Sequence, residues 1–330
     1  MNLNTRYMGL DLKHPLVASA SPLSHSVENI RRLEDGGAAA VVMYSIFEEQ
    51  IRLEHQAISQ ALNAGTHSVA ESLSYFPEMD FDDFSTAPQE YLELIRRATD
   101  AVDIPVIASL NCISREGWAD FAGQLEQAGA KALELNIFSV ETDLDISSQQ
   151  MEQRYIDGLR QVKQTVSIPV AMKLSPFFSA FGNMAKRLDE AGADGLVLFN
   201  RFYRPDIDIH KLEILPTLNL SHSSEIRLPL LWIAVLRDRI KASLAATTGV
   251  ETADDVIKYL LAGADIVMSA AALMRKGPAY CSELITGLEA WMQDHGFTSL
   301  DDVRGIMSHS RAIDPRLFER ANYLRMLDSH

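Results

Sequence analysis

The stretch that decides the fold runs from Ser167 to Arg201 and reads SIPVAMKLSPFFSAFGNMAKRLDEAGADGLVLFNR. A short apolar run, Ile168 to Leu174, carries Lys173 near its end. The apolar spacing then predicts a helix from about Asn183 to Ala191. Ala191-Gly192-Ala193 turns the chain into a second apolar run, Gly195 to Phe199, which stops at Asn200. This is strand, helix, strand, with a polar residue at the exit of each strand. Parallel strands joined in this way need a right-handed crossover and are buried on both faces.

The same phrase recurs. Four times a helix-like segment ends in a small-residue turn and feeds an apolar run: EDGGAAAVVM, EQAGAKALEL, DEAGADGLVL and LLAGADIVMS. Between these copies lie LVASA, IPVIASL, IPVAMKL and IKASLAA. The strands expected are Pro15 to Ala20, Ala38 to Met43, Ile104 to Leu110, Ala132 to Leu135, Ile168 to Leu174, Gly195 to Phe199, Ile240 to Ala246 and Asp265 to Met268. Further helices are expected over Val27 to Asp35, Gln89 to Ala101, Gly117 to Ala128, Leu228 to Arg239 and Ala253 to Leu261. Glycine sits where a helix C-terminus needs a left-handed residue. The pattern reads as α/β, a single (β/α)8 TIM barrel over residues 1–330. An open doubly wound sheet is the alternative, but no Gly-rich fingerprint follows the first strand.

Long loops follow strands two, four and six. The first, about Ile46 to Pro88, holds Tyr75, Phe76 and Phe81, which either cover an apolar ligand or pack as a surface flap. The third spans Phe202 to Leu228. The tail from His295 to His330 carries a candidate terminal helix, DPRLFERANYLRML.

A chain of 330 residues that is 47% hydrophobic can bury one barrel core. Its formal net charge of −15 argues against nucleic acid or an anionic membrane as partner. Two cysteines, Cys112 and Cys281, neither form a disulfide framework nor hold an iron–sulfur cluster by themselves. They are expected to be reduced core thiols in a cytoplasmic protein. The N-terminus has no basic region followed by an apolar run, so no signal peptide and no membrane span are expected.

In a barrel the active site lies at the C-terminal ends of the strands. The residues there are Ser19 to Ser21, Tyr44-Ser45, Asn111, Asn136 with Ser139, Lys173, Asn200, Thr247 to Gly249 and Ser269 to Ala271. This ring is polar rather than acidic and has no cluster at metal-ligand spacing. The small exits TTGVET and SAAAL suit a phosphate held by backbone N–H groups; small residues also serve turns alone. Lys173 could be a Schiff-base amine, a cation beside an anionic cofactor, or a snorkelling surface lysine. The Asn136 and Asn200 amides could grip the edge of a planar ring, and asparagine also commonly caps strands.

Together these residues resemble the dihydroorotate dehydrogenase family of FMN-dependent barrels, from about Met8 to Leu273. The likeness is strongest in LKHPLVASA, GWADFAGQLEQAGAKALELNI, IPVAMKLSP, EAGADGLVLFN and TGVETADDVIKYLLAGADIVMSAAAL. The resemblance implies that Ser139, in Asn136-Ile137-Phe138-Ser139, is the proton-abstracting base in its serine form. It implies that Lys173 contacts the flavin and that Asn136 lies near flavin and substrate, with Asn200 as a substrate amide. Thr248-Gly249 and Ser269-Ala270 match the FMN phosphate loops. Ser19 and Ala20 match the first-strand backbone contact, with Ser45 also beside the cofactor.

There are departures from the family pattern. Tyr44 stands where the family has a lysine touching flavin and substrate. Val140-Glu141 replaces a Pro-Asn pair. The Asn-bearing substrate loop is not recognisable in SLSYFPEMDF, and a glycine after strand six is lost within LSHSSE. Losing a cation and two amides while gaining a carboxylate disfavours an anionic substrate such as orotate.

The function implied is an FMN-dependent dehydrogenation of a CH–CH bond in dihydroorotate or a related dihydropyrimidine, with Tyr44, Asn136 and Asn200 facing the substrate. The protein would belong to pyrimidine metabolism, as a homodimer with a separate electron-acceptor protein as a possible partner. One alternative is a flavin-binding paralogue with an altered substrate site, acting as an electron-transfer or regulatory subunit. Another is a barrel lyase that uses Lys173 as a Schiff base.

Overall fold

A computed structural model describes residues 1–51, 87–111, 115–137, 141–201, 206–215 and 219–318. The chain opens with an antiparallel hairpin, β1 (Thr5–Tyr7) and β2 (Leu10–Leu12). The barrel strands follow as β3 (Leu16–Ala18), β4 (Val41–Phe47), β5 (Val106–Asn111), β6 (Ala132–Asn136), β7 (Val170–Leu174) and β8 (Gly195–Leu198). A second hairpin, β9 (Asp206–Asp208) and β10 (Glu213–Leu215), lies in the connection after β8. The last two barrel strands are β11 (Ser243–Ala246) and β12 (Ile266–Ser269), and the sheet closes in the order β11-β12-β3-β4-β5-β6-β7-β8.

Alternation along each strand separates two cores. Val17, Val42, Ile107, Ala132, Ala171, Val197, Ala245 and Met268 share the barrel interior with Tyr7, Met8 and Leu12 of the opening hairpin. Met8 and Tyr7 press against Gly195, the first residue of β8, so the hairpin plugs the N-terminal mouth. The intervening residues, among them Leu16, Val41, Val106, Leu133, Val170 and Val267, face outward into a larger core beneath the helices. The plug is itself held by the far end of the chain. Asn2 N–H donates to Thr298 O and Leu300 N–H to Asn2 O, both at 2.9 Å, and Arg304 Nη1 donates to Thr5 Oγ1 at 3.0 Å.

The expected helices form at Val27–Asp35, Ala87–Ala101, Arg115–Gln127, Phe181–Glu190, Arg227–Leu236 and Ala253–Ala262. Each of the four repeated turns carries a glycine at positive φ: Gly37 at 99°, Gly129 at 103°, Gly192 at 100° and Gly263 at 122°. A helix that the sequence reading left unassigned, Ser148–Thr165, shortens the loop after β6. It starts at a capping box in which Ser147 accepts from the Gln150 amide and Gln150 reaches back to the Ser147 amide. The tail adds helices Ala271–Lys276, Tyr280–Asp294 and Leu300–Val303, then a single turn at Pro315–Phe318; the rest of the proposed terminal helix lies outside the described residues. Tyr75, Phe76, Phe81 and Cys112 lie outside them too. Cys281 is a buried free thiol whose pKa burial pushes up to about 12. No described helix is long and apolar enough to cross a membrane.

β4 differs from its expected span in a way that shapes the site. It runs on to Phe47, and its register against β5 shifts: Val42 pairs with Ile107, but Ser45 pairs with Ser109. Three steps on β4 therefore match two on β5, which is a bulge. Val42 faces the axis, and regular alternation would put Tyr44 there as well. The extra residue gives that place to Ser45, whose Oγ lies 2.7 Å from Ser109 Oγ. Tyr44 packs instead against His25 and Tyr91, with ring centroids at 4.2 and 4.9 Å.

The fully buried Tyr91 makes the bulge tenable. Its hydroxyl donates towards Tyr44 O at 2.8 Å and Ser109 O at 3.1 Å, and accepts from Ser109 N–H at 3.1 Å. Burial drives the phenol pKa far above its ordinary value, so the group stays a neutral donor. Tyr91→Phe would strand these backbone groups. It should lower unfolding stability by on the order of 2–3 kcal/mol, read from the denaturant midpoint.

Candidate active site

The C-terminal mouth of the barrel is built from the upper inward positions of its strands. Ser19, Ser109, Glu134, Asn136, Lys173 and Thr247 are all buried there, and Ser269, which shares the outward parity of Val267, is buried too. Register brings them into layers: Ser109 lies opposite Glu134, and Asn136 is opposite both Asn111 and Lys173. Ser19 N–H donates to Ser269 O at 3.0 Å where β3 meets β12.

Ten of the residues singled out from sequence line one cleft at this mouth: Ser19 to Ser21, Lys173, Asn200, Thr247 to Gly249, Ala270 and Ala271. Asn136 stands behind them, with its Oδ1 accepting from Asn200 Nδ2 at 2.5 Å. Ser269 ties two cleft loops together, because its Oγ donates to Val250 O at 3.1 Å. Ser45 is bonded to Ser109, deeper in the barrel. Tyr44 does not line the cleft. The bulge sends it to a separate hollow, walled by His25, Gln89, Glu90, Glu93 and Arg97. Ser139 lies outside the described residues. Glu141, which stands in place of an amide of the family pattern, lines yet another hollow with Tyr155 and Phe178 and is salt-bridged to Arg154 at 2.9 Å.

Two charged residues at this mouth were not singled out from the sequence. Glu134 is 1% exposed, and its Oε1 accepts from Lys173 Nζ at 3.1 Å. The sequence signal was a carboxylate on the same strand face as Ala132 and Asn136. Arg201, directly after Asn200, also lines the cleft, and Glu225 grips it through two bonds of 3.0 and 3.2 Å. These two ion pairs account for both cations lining the cleft among the described residues. The pairing of Lys173 bears on the lyase reading: apolar surroundings or a neighbouring cation activate a lysine for Schiff-base chemistry, and the partner of Lys173 is instead the Glu134 carboxylate.

Thr248 and Gly249 take consecutive positive φ values of 78° and 73°, which turn the 247–250 loop tightly at the cleft wall. Its acceptors point into the protein: Thr248 O accepts from Tyr259 Oη at 2.8 Å, and Val250 O is taken by Ser269. The neighbouring wall, Ser221 to Ile226, is fixed from both sides. Ser221 Oγ accepts from Gly249 N–H at 3.1 Å, while Arg275 donates to Ser221 O and to Glu251. The Ser223 amide, followed by Arg275 and His222, holds the Glu251 carboxyl below its usual pKa.

The sequence matches the family model described as dihydroorotate dehydrogenase over residues 63–292. That is more than half of the chain, and the protein belongs to this family. Among its relatives, the catalytic subunit of dihydroorotate dehydrogenase B (NAD(+)) from Methanothermobacter thermautotrophicus is 26% identical, over 92% of this chain and 98% of the relative. The protein of the same description from Thermoplasma acidophilum is 25% identical, over 92% and 98%. The NAD-dependent dihydropyrimidine dehydrogenase subunit PreA from Escherichia coli is 23% identical, over 94% of this chain and 77% of the relative.

The reason for glycine at 249 differs from the one the sequence suggested. A Cβ there would sit 2.7 Å from His222 O and 2.7 Å from Ile226 Cγ2, so the protein itself excludes a side chain. Gly249→Ala should cost about 1–2 kcal/mol for the left-handed backbone, and roughly 1–3 kcal/mol more for overpacking. Gly192→Ala, with φ of 100° and nothing within 4 Å, should show only the backbone cost. Paired thermal melts of the two variants check this.

Proposed function

We propose that the protein is an FMN-dependent oxidoreductase acting on the CH–CH bond of a neutral dihydropyrimidine. The observation that carries this reading is the Asn136–Asn200 pair. Because Asn200 Nδ2 is spent on Asn136 Oδ1, Asn200 Oδ1 and Asn136 Nδ2 stay available side by side as an acceptor and a donor. That is the complement of the N–H and C=O edge of a pyrimidine ring.

Charge argues for the neutral ring. Lys173 and Arg201 are both matched by carboxylates, so among the described residues the cleft offers no surplus cation for a substrate carboxylate. The name of the Escherichia coli relative, a dihydropyrimidine dehydrogenase subunit, agrees with this choice.

The residues present fit FMN. Backbone groups at Ser19 and Ala20 would take the ring edge, Lys173 the electron-rich side of the ring, and the Thr248-Gly249 and Ser269-Ala270 loops the phosphate. FMN, when bound, supplies the hydride acceptor. The chain's own work is orientation by the asparagine pair and proton removal, which the family resemblance assigns to Ser139. A serine is a weak base alone and passes the proton on through water or a neighbour. We read residues 1–330 as a single flavin domain in the cytoplasm. A separate electron-accepting chain is part of this reading, supported by the word subunit in the names of the relatives.

The purified protein should be yellow or take up one FMN per chain at micromolar concentration. Under anaerobic conditions dihydrouracil should bleach the bound flavin faster than dihydroorotate does. A colourless protein that ignores added FMN overturns the cofactor assignment. Fast bleaching by dihydroorotate at sub-millimolar concentration overturns the neutral substrate.

A further inference from the structure

The Lys173–Glu134 pair has features that fold stability does not account for. Both side chains are inside the barrel, at 9% and 1% exposure, so both charges were taken out of water. A buried ion pair is weak as a stabilising device, since well-packed apolar residues commonly do as well or better. The pair is also incompletely satisfied: Glu134 Oε2 is buried with no hydrogen-bond partner. The adjacent inward positions Ala132 and Ala171 show that this interior accepts small apolar residues. A retained, half-satisfied charge pair at the floor of a ligand cleft therefore points to function.

Register gives its geometry. Lys173 lies opposite Asn136 in the mouth layer, whereas Glu134 lies opposite Ala171, one layer deeper. The ammonium is therefore drawn down towards the barrel axis. Without the carboxylate it could swing into the open cleft, which Lys173 lines.

We propose that Glu134 is a positioning and charge-balancing residue for the bound flavin, anchoring the Lys173 ammonium at the cleft floor and setting how much positive charge the cofactor meets. This rests on the FMN reading above. A reduced flavin carries more negative charge than an oxidised one, so a nearby ammonium favours the reduced form and the carboxylate tempers that preference.

The test is a double-mutant cycle read as potential. Wild type, Glu134→Gln, Lys173→Met and the double variant are loaded with FMN and equilibrated with redox dyes. Binding of oxidised FMN is followed separately by quenching of its fluorescence. Glu134→Gln should raise the ratio of reduced to oxidised FMN affinity about tenfold, an upward shift of about 30 mV for a two-electron couple. Lys173→Met should shift the potential downward. In the Lys173→Met background, Glu134→Gln should move it less than in wild type.

An unchanged or lowered potential in Glu134→Gln overturns the proposal, as does an equal shift in both backgrounds. If the Gln variant does not fold, Glu134→Asp keeps the charge but shortens its reach. It should then give a smaller upward shift, and a wild-type potential in that variant overturns the proposal. Failure of wild type to bind FMN removes the cofactor assignment itself and this inference with it. Normal binding with an unmoved potential removes the inference alone.

Discussion

The two-residue alternation of a barrel strand decides what each side chain here can touch. Closing eight strands leaves no edge, so every strand residue faces either the axis or the helices. The outward set is apolar and packs under the helix ring. The inward set changes along the axis, from the aromatic and aliphatic plug at one mouth to serine, asparagine, glutamate and lysine at the other. Because parity is so strict, one inserted residue is enough to exchange which side chain enters the mouth. The bulge in β4 makes that exchange, with Ser45 going in and Tyr44 out, and a tyrosine hydroxyl from the helix Ala87–Ala101 holds it in place.

Much of the architecture was legible because its signals are local. Apolar runs, small-residue turns and helical spacing each occupy a few consecutive residues, and they marked all eight strands and six of the helices. The helix Ser148–Thr165 carried the same signals, in the helical spacing of its buried Tyr155, Ile156, Leu159 and Val162 and in the cap at Ser147 and Gln150, and was legible in principle. The site divides in the same way. Ser19, Lys173, Asn200, Thr248 and Gly249 follow from the rule that strand exits line the mouth. Tyr44 does not, since its orientation depends on a register shift fixed by Tyr91, far along the chain. Glu141 lies in another hollow, where its partner, Arg154, sits on the helix Ser148–Thr165. Glu134 went unnoticed because it lies inside a strand rather than at its exit.

The cleft and the molecule differ in charge balance. The chain carries a formal −15, which favours solubility and repels polyanions. Within the cleft, lysine meets glutamate and arginine meets glutamate. With its described charges paired, the cleft discriminates by hydrogen-bond pattern more than by charge. In such a site, a missing hydrogen-bond partner is more costly than a slightly wrong size.

The clamp between the first and last parts of the chain has a consequence for biosynthesis. Thr5 and Arg304 are 299 residues apart in sequence yet share a hydrogen bond, and β3 pairs with β12 as well as with β4. At 5–20 residues per second, the ribosome takes roughly 15–60 s to deliver the second partner after the first. Through that interval β3 has an open edge and the hairpin has no barrel to plug. A nascent chain in this state exposes apolar strand surface and unpaired backbone, which other chains can capture. The barrel therefore closes only after β12 has been made, and before then its open strand edges are available to other chains.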